Sequence, residues 1–473
     1  MRRSTCVLGL FLVATVPAIG DEAPWSTYRG NVRRSGNTDG IAGPARPEVI
    51  WVIKDTKHFV AAPVPNGADI LLPGLSGFNE GVVSSLPINP KDPKNITPTW
   101  VKGGQLLGLP TVSSPAVSDG KVTFGGGMHD SPGAALYCYP TDGSCLLWVL
   151  QMKGPLMHME ASPTVANGRV YTGGGAAGVV CVDLNTVTLN GKEMSVKDVP
   201  AAQSARLKEL QAKYEVEKKK DPEFAIAPGE DQLWRPAPKT IWMQGEKRWH
   251  VDAPVLVAGD KVLAASAFLD KEKEGDRAVY CLDAGSGKEL WRASLTYNPW
   301  GGPTLAGETV IVTTSSIAYK MTDVEQAKGE VVALDLATGK EKWKKLVPGG
   351  VLGCAAATND AAVFTCTDGK VRAFALADGS RKIIYDAKAP FFAPPAVVGD
   401  TAYVADLNGV VHAIDLKTGN AAWTFDLGKE PLKLPGMNYG GITVHGGRLY
   451  LATFNRDGPF AGQSTAVVCI GGK

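Results

Sequence analysis

The charge balance has no sign to exploit. Lys and Arg number 49, Asp and Glu 47, and the net charge is +2. No basic stripe runs along any segment, so nucleic acid is excluded as a partner. Long apolar runs are also missing. The one concentrated stretch, Cys6 to Val16, is too short to cross a bilayer, and no other segment reads as transmembrane. Eight cysteines are present, but none has zinc-like spacing and there is no C-x-x-C-H haem attachment. A zinc-finger or cytochrome reading is therefore excluded.

The first twenty residues have the form of an export signal. Arg2 and Arg3 form the charged region, Cys6–Val16 the apolar region, and Ala18-Ile19-Gly20 a small-x-small cleavage site. Residues 1–20 are read as a signal peptide, and the protein as exported, periplasmic or extracellular. Envelope or secreted proteins are then the expected partners.

Glycine is plentiful, and a hairpin repeats. Ala278–Trp291 reads AVYCLDAGSGKELW: a strand, an Asp/Gly turn, then a strand ending in Trp. The pattern recurs as VVALDLATGKEKW, VHAIDLKTGNAAW, LYCYPTDGSCLLW and VRAFALADGSRKIIY. Each copy follows another hairpin, such as SPTVANGRVY over Ser162–Tyr171. One unit is thus four antiparallel strands, A to D, which is a propeller blade. The markers of strand D are Trp100, Trp148, Trp242, Trp291, Trp343, Tyr385 and Trp423. An eighth blade has strands A to C but no D. Residues 48–54, with Trp51, supply it from the other end of the chain. The expected fold class is all-β: a single eight-bladed β-propeller over residues 21–473.

Residues 186–239 interrupt blade 3. Within them Val199–Lys220 reads as a helix, with Ala202, Leu207, Leu210 and Tyr214 near one face and Asp221-Pro222 as its stop. Cys138, Cys181, Cys281 and Cys469 occupy a strand C position that holds Ala in other blades, so they read as small core residues. Cys354 and Cys366 flank a turn and are a candidate disulfide, as are Cys138 and Cys145.

One constellation carries chemistry. Aligned on strand A, His158-Met159-Glu160 falls on His250-Val251-Asp252 without a gap. Asn298, Trp300, Asn438 and Tyr439 occupy the equivalent region of other blades, and His129-Asp130 sits in a Gly-rich loop. Strand A is innermost, so these residues are expected near the axis. Imidazole beside carboxylate suits a metal or a proton-transfer pair. The same residues could instead tie neighbouring blades together.

The motif x-Y-[AC]-L-D-x-x-T-G-K-x-x-W resembles the repeats of pyrroloquinoline-quinone-like propellers over essentially all of residues 25–470. Trp25–Gly36, WSTYRGNVRRSG, is similar to the W-x-x-[FY]-R-G segment that often precedes them. One branch of that family, the quinoprotein alcohol dehydrogenases, implies pyrroloquinoline quinone and Ca²⁺ on the axis. It also carries a vicinal Cys-Cys disulfide, and this sequence has no adjacent cysteines. The other branch, the propeller lipoprotein of the outer-membrane β-barrel assembly machinery, implies a non-catalytic scaffold. This sequence lacks its lipobox cysteine and adds the insertion. Two functions follow: a binding module of the envelope, or a quinone- or metal-dependent oxidoreductase acting on a small molecule. In the second, Glu160 and Asp252 would be ligands or base and Trp300 a stacking wall. No motif defines a cofactor.

Overall fold

Each repeat builds its own turn. Asp335 Oδ1 accepts hydrogen bonds from the Thr338 backbone N–H at 2.9 Å and from its hydroxyl at 2.7 Å. Gly339 follows at φ +70° and lets the chain reverse. Asp283 makes the same turn with Ser286. Strands on both sides then pair in register, and four of them make a twisted sheet. The computed structural model describes residues 25–76 and 80–472. The signal segment read over residues 1–20 lies outside them. Eight such sheets form an eight-bladed propeller.

The register explains the composition of the motif. The Trp of strand D lies opposite a small residue of strand C: Trp291 opposite Cys281, Trp343 opposite Ala333, Trp148 opposite Cys138 and Trp51 opposite Cys469. A large ring against a small side chain leaves room for the next blade. The indole N–H then donates to a carbonyl of that blade: Trp242 to Ala284 at 3.1 Å, Trp291 to Leu336 at 3.0 Å, Trp343 to Leu376 at 2.8 Å. Its ring lies against the turn glycine there. A Cβ on Gly339 would sit 2.5 Å from Trp291 Cε3. In blade 6 the register places Ile383, and not Tyr385, opposite Ala373. Tyr385 lies two residues further on, and its hydroxyl bonds His412 Nδ1 at 3.0 Å. Ile383 packs near Gly419 in place of an indole.

Glu48–Asp55 pairs antiparallel with Thr465–Gly471 and completes the eighth sheet. The segment before it plugs the channel. Carbonyls of Trp25, Ser26, Val32, Arg33, Ser35 and Gly36 accept from backbone N–H groups of Val117, Val165, Leu305, Ala357, Val397 and Val444, one in each of six blades. Arg34 is fully buried. It has no carboxylate partner and instead donates to the carbonyls of Pro303, Val255 and Tyr28 and to Thr27 Oγ1. Burial holds its pKa down to about 10.

Strand C of blade 3 runs on through Leu189 into a small hairpin with Lys192–Ser195. A helix over Val199–Lys220 follows, with Pro200 in its first turn. Only Val199 and Gln203 are buried along it. The face drawn through Ala202, Leu207, Leu210 and Tyr214 is not a packing face, and Leu207 is exposed. The cysteines named as candidate disulfides, Cys354 with Cys366 and Cys138 with Cys145, are free and buried.

Two outcomes are expected. Gly339→Val adds a branched side chain where Trp291 already sits, and should cost about 3 kcal/mol, measured by denaturant unfolding. Gly307→Ala is the control: its added Cβ meets nothing within 4 Å, so only its positive φ of +59° is penalised, at ~1 kcal/mol. Arg34→Met keeps the stem but strands buried carbonyls, and should cost about 3 kcal/mol. The exposed neighbour change Arg33→Met should stay within about 0.5 kcal/mol.

Candidate functional site

Two short segments enter strand A from the same end of adjacent blades. In blade 3, Leu156 O accepts from Ala176 N–H at 3.0 Å. Gly175, at φ +58°, leaves space for His158; a Cβ there would lie 2.9 Å from His158 Nε2. In blade 4, Trp249 stacks on Tyr280 at 4.0 Å, and Gly245 lies beneath its ring. His250 then donates its backbone N–H to Ser266 Oγ at 3.0 Å. A two-way bridge between Gly175 and Val251 locks the segments at one height. This bridge brings the two histidines together.

His158 and His250 are fully buried, with their Nε2 atoms 3.2 Å apart. Asp252 reaches both: Oδ2 lies 3.0 Å from His250 Nε2 and Oδ1 3.5 Å from His158 Nε2. Glu160 Oε1 lies 3.6 Å from His158 Nδ1 and accepts the backbone N–H of His129 at 2.7 Å. That bond holds the blade 2 loop over the pair. The three imidazoles have centroids 5.1–6.0 Å apart. His129 Nε2 also lies 3.4 Å from Glu272 Oε1, on a blade 4 loop.

Burial sets the protonation pattern. It holds His158 below the ordinary imidazole value. It also opposes charge on His250, but Asp252 outweighs it and raises that pKa. Burial would raise Asp252, yet His158 and His250 together hold it down. Glu160, buried and close to Asp252, is pushed well above the usual carboxylate range. His250 and Asp252 thus favour each other's charged forms, while burial favours the neutral forms of His158 and Glu160.

The cluster opens onto an axial cavity of about 970 Å³. Trp300, Tyr319, Tyr439 and Phe454 give it apolar walls, and Tyr28 from the N-terminal plug also lines it. Of the residues aligned from the sequence, Glu160, Asp252, Asn298, Trp300 and Tyr439 line this cavity. Asn298 is engaged in both directions with the backbone of Phe268, and the Trp300 indole donates to Ile317 O at 2.9 Å. Asn438 does not join them. It is fully buried, donates to Ala452 O and accepts from Gly441 N–H, and so is a structural tie. Glu272 and Tyr319 were not legible, because the loops that carry them have no counterpart in the repeat.

The comparisons with known proteins agree with this architecture. Residues 225–390 and 327–468 match the family model described as "Outer membrane protein assembly factor BamB". The chain belongs to this family. A Nitrosomonas eutropha outer membrane protein assembly factor BamB is 29% identical over 153 residues, 31% of this chain and 34% of that protein. A Burkholderia pseudomallei protein of the same name is 29% identical over 36% of this chain and 41% of its own length. The chain thus spans about a third to two-fifths of these curated relatives. Among solved structures, BamB from Moraxella catarrhalis aligns with TM-score 0.57 at 15% identity, covering 90% of this chain and 98% of that one. A europium-containing methanol dehydrogenase aligns with TM-score 0.60 at 12% identity, covering 95% and 98%. Both likenesses are of fold.

The fold family makes pyrroloquinoline quinone the cofactor to test, and the residues present do not fit it. The quinone carries three carboxylates. The cavity is lined by Asp130, Glu160, Asp252, Asp270, Glu272 and Asp457 against Lys271 and Arg456. An acidic lining repels such an anion, and Asp252 and Glu160 at the histidine cluster are engaged by His250, His158 and the His129 backbone N–H, not set out as an oxygen cage for a Ca²⁺ that would carry it. The seven cysteines Cys138, Cys145, Cys181, Cys281, Cys354, Cys366 and Cys469 are free, so no disulfide faces the cavity among the described residues. Titration with pyrroloquinoline quinone and Ca²⁺ should leave the quinone absorbance unshifted at micromolar protein. A stoichiometric shift would contradict the electrostatic argument.

Proposed function

We propose that this chain is a non-catalytic binding module of the cell envelope, exported to the periplasm or beyond, that docks protein partners in outer-membrane protein assembly. Membership of the assembly-factor family supports the class of function. The observation that carries the docking is the blade 3 insertion. Its helix contributes Val199 and Gln203 to the propeller and leaves the rest outside. The connector after it holds Phe224 and Ile226 in solvent, 78% and 79% exposed. Exposed large apolar side chains on one arm are characteristic of interaction sites. The arm is also clipped rigidly at its base. Gln203 donates to Trp234 O at 2.8 Å and accepts Trp234 N–H at 2.9 Å, and Arg206 lies over the Trp234 ring. Lys102 pairs with Glu230 at 2.6 Å beside it. A rigid arm loses little conformational freedom on binding.

A second reading, a metal-dependent oxidoreductase, rests on the histidine–carboxylate cluster opening onto the axial cavity.

The docking reading is tested by placing a photo-crosslinking residue at positions 224 and 226 in cells. Crosslinks to a component of the β-barrel assembly machinery are expected. They should disappear when residues 205–228 are replaced by a short Gly/Ser linker, which leaves the Gln203–Trp234 clip in place. No envelope crosslink, or the same crosslinks made from a distant propeller face, would overturn it.

A further inference from the structure

The axial cluster has the donors, spacing and unused valences of a metal site. We propose that His129, His158, His250 and Asp252 bind a divalent first-row transition-metal ion of the Zn²⁺ or Fe²⁺ type as four donors, with a fifth position, open on expansion to five-coordination, facing the cavity. This is independent of the docking arm, which lies in the blade 3 insertion.

The spacing is the first argument. Two imidazole nitrogens bound to one tetrahedral ion at ~2.0–2.1 Å are held roughly 3.3 Å apart. The Nε2 atoms of His158 and His250 are 3.2 Å apart. The Asp252 carboxylate lies against both of them at 3.0 and 3.5 Å. A nitrogen of His129 falls within 4.8 Å of the other two histidine donors. Three nitrogens and a carboxylate oxygen are the donor set that zinc and its first-row neighbours take. Ca²⁺ would need six to eight oxygens.

Unsatisfied polarity is the second argument. Oδ1 of Asp252 is buried without a hydrogen-bond partner among the described residues, beside the two facing Nε2 atoms. Both rings are wholly inaccessible. A shared proton between the two Nε2 atoms does not relieve the Asp252 oxygen, whereas an ion between them draws on it directly. Buried polar atoms left in this way cost free energy unless something takes them up.

The outer layer is the third argument. Metal-bound histidines usually direct their other ring nitrogen to a carboxylate. Glu160 Oε1 stands 3.6 Å from His158 Nδ1, and Glu272 Oε1 stands 3.4 Å from His129 Nε2. The acidic lining of the cavity favours a cation at its end. His129 comes from the loop at the cavity mouth and has a third of its side chain exposed. The open coordination position therefore faces the cavity, where a water can reach it.

The test uses the full, untagged chain stripped with chelator and dialysed against Zn²⁺, with bound metal counted by mass spectrometry. One Zn²⁺ per chain is expected, at micromolar affinity or tighter. His250→Gln and Asp252→Asn should each weaken binding at least 100-fold, and Glu160→Gln by 10- to 100-fold as an outer partner. His412→Gln, which changes a histidine outside the cluster, should leave binding intact. Co²⁺ in place of Zn²⁺ should give the intense visible absorption of a four- or five-coordinate nitrogen-ligated ion. Circular dichroism shows which variants are folded. Millimolar or weaker binding by the unaltered chain overturns the proposal. So does an octahedral, weakly absorbing Co²⁺ spectrum, or a folded His250→Gln or Asp252→Asn chain that binds as tightly as the parent. The first two outcomes need no variant to fold.

Discussion

An indole N–H bonded to a carbonyl of the next blade is the contact on which this molecule depends. It fixes the distance between neighbouring sheets and the height at which one meets the other. Because the Trp lies opposite Cys or Ala in its own blade, the ring projects sideways, and the turn glycine of the next blade receives it. Six blades make this contact, while Ile383 replaces the indole in blade 6 and Trp423 of blade 7 bonds Pro44 O instead, and the ring closes only if the last blade finds a fourth strand. Glu48–Asp55 supplies that strand, so Thr465–Gly471 is paired on both sides as strand C is in the other blades. The plug formed by residues 25–36 then bonds the inner strands of six blades from within. Closure is thus imposed twice, at the rim and at the axis.

The axial cluster inherits its geometry from this closure. His158 and His250 belong to different blades, 92 residues apart, yet their nitrogens meet at 3.2 Å. Such a distance is held only if neighbouring blades cannot slide. The Gly175–Val251 bridge and the Trp242 contact on blade 4 prevent sliding. A cluster built across two blades is therefore as rigid as the ring, which is what preorganised recognition requires.

The blades could be read in the sequence because each writes the same register: small residue, Asp, turn glycine, Trp. Blade 6 shows where that reading fails. A Tyr near the expected position drew the assignment to Tyr385, but a strand has a period of two and the position opposite Ala373 belongs to Ile383. The helix ends were legible because Pro200 and Asp221-Pro222 punctuate it. Its packing face was not, since the helix buries only Val199 and Gln203, both near its N-terminus. The two His-x-acid pairs were visible because alignment preserves height along the axis. Alignment does not give rotation about the strand, so Asn438 was placed at the site although its side chain faces the backbone of its own blade. Glu272 and Tyr319 lie in loops that do not repeat, and nothing in the periodic signal points to them.

The two candidate features divide the molecule. The insertion carries exposed apolar side chains away from the disc, while the cluster sits inward on the axis. A propeller that served only as a disc would have no need to bury two imidazoles with their Nε2 atoms 3.2 Å apart beside an unpaired Asp252 oxygen. Replacing both by apolar residues would remove that cost without touching the indole contacts that close the ring. The sequence retains them, together with the carboxylates that flank them and an acidic cavity above. Stability of the fold therefore does not account for the cluster. Its donors point instead to an occupant of the cavity, and the acidic lining favours a cation there.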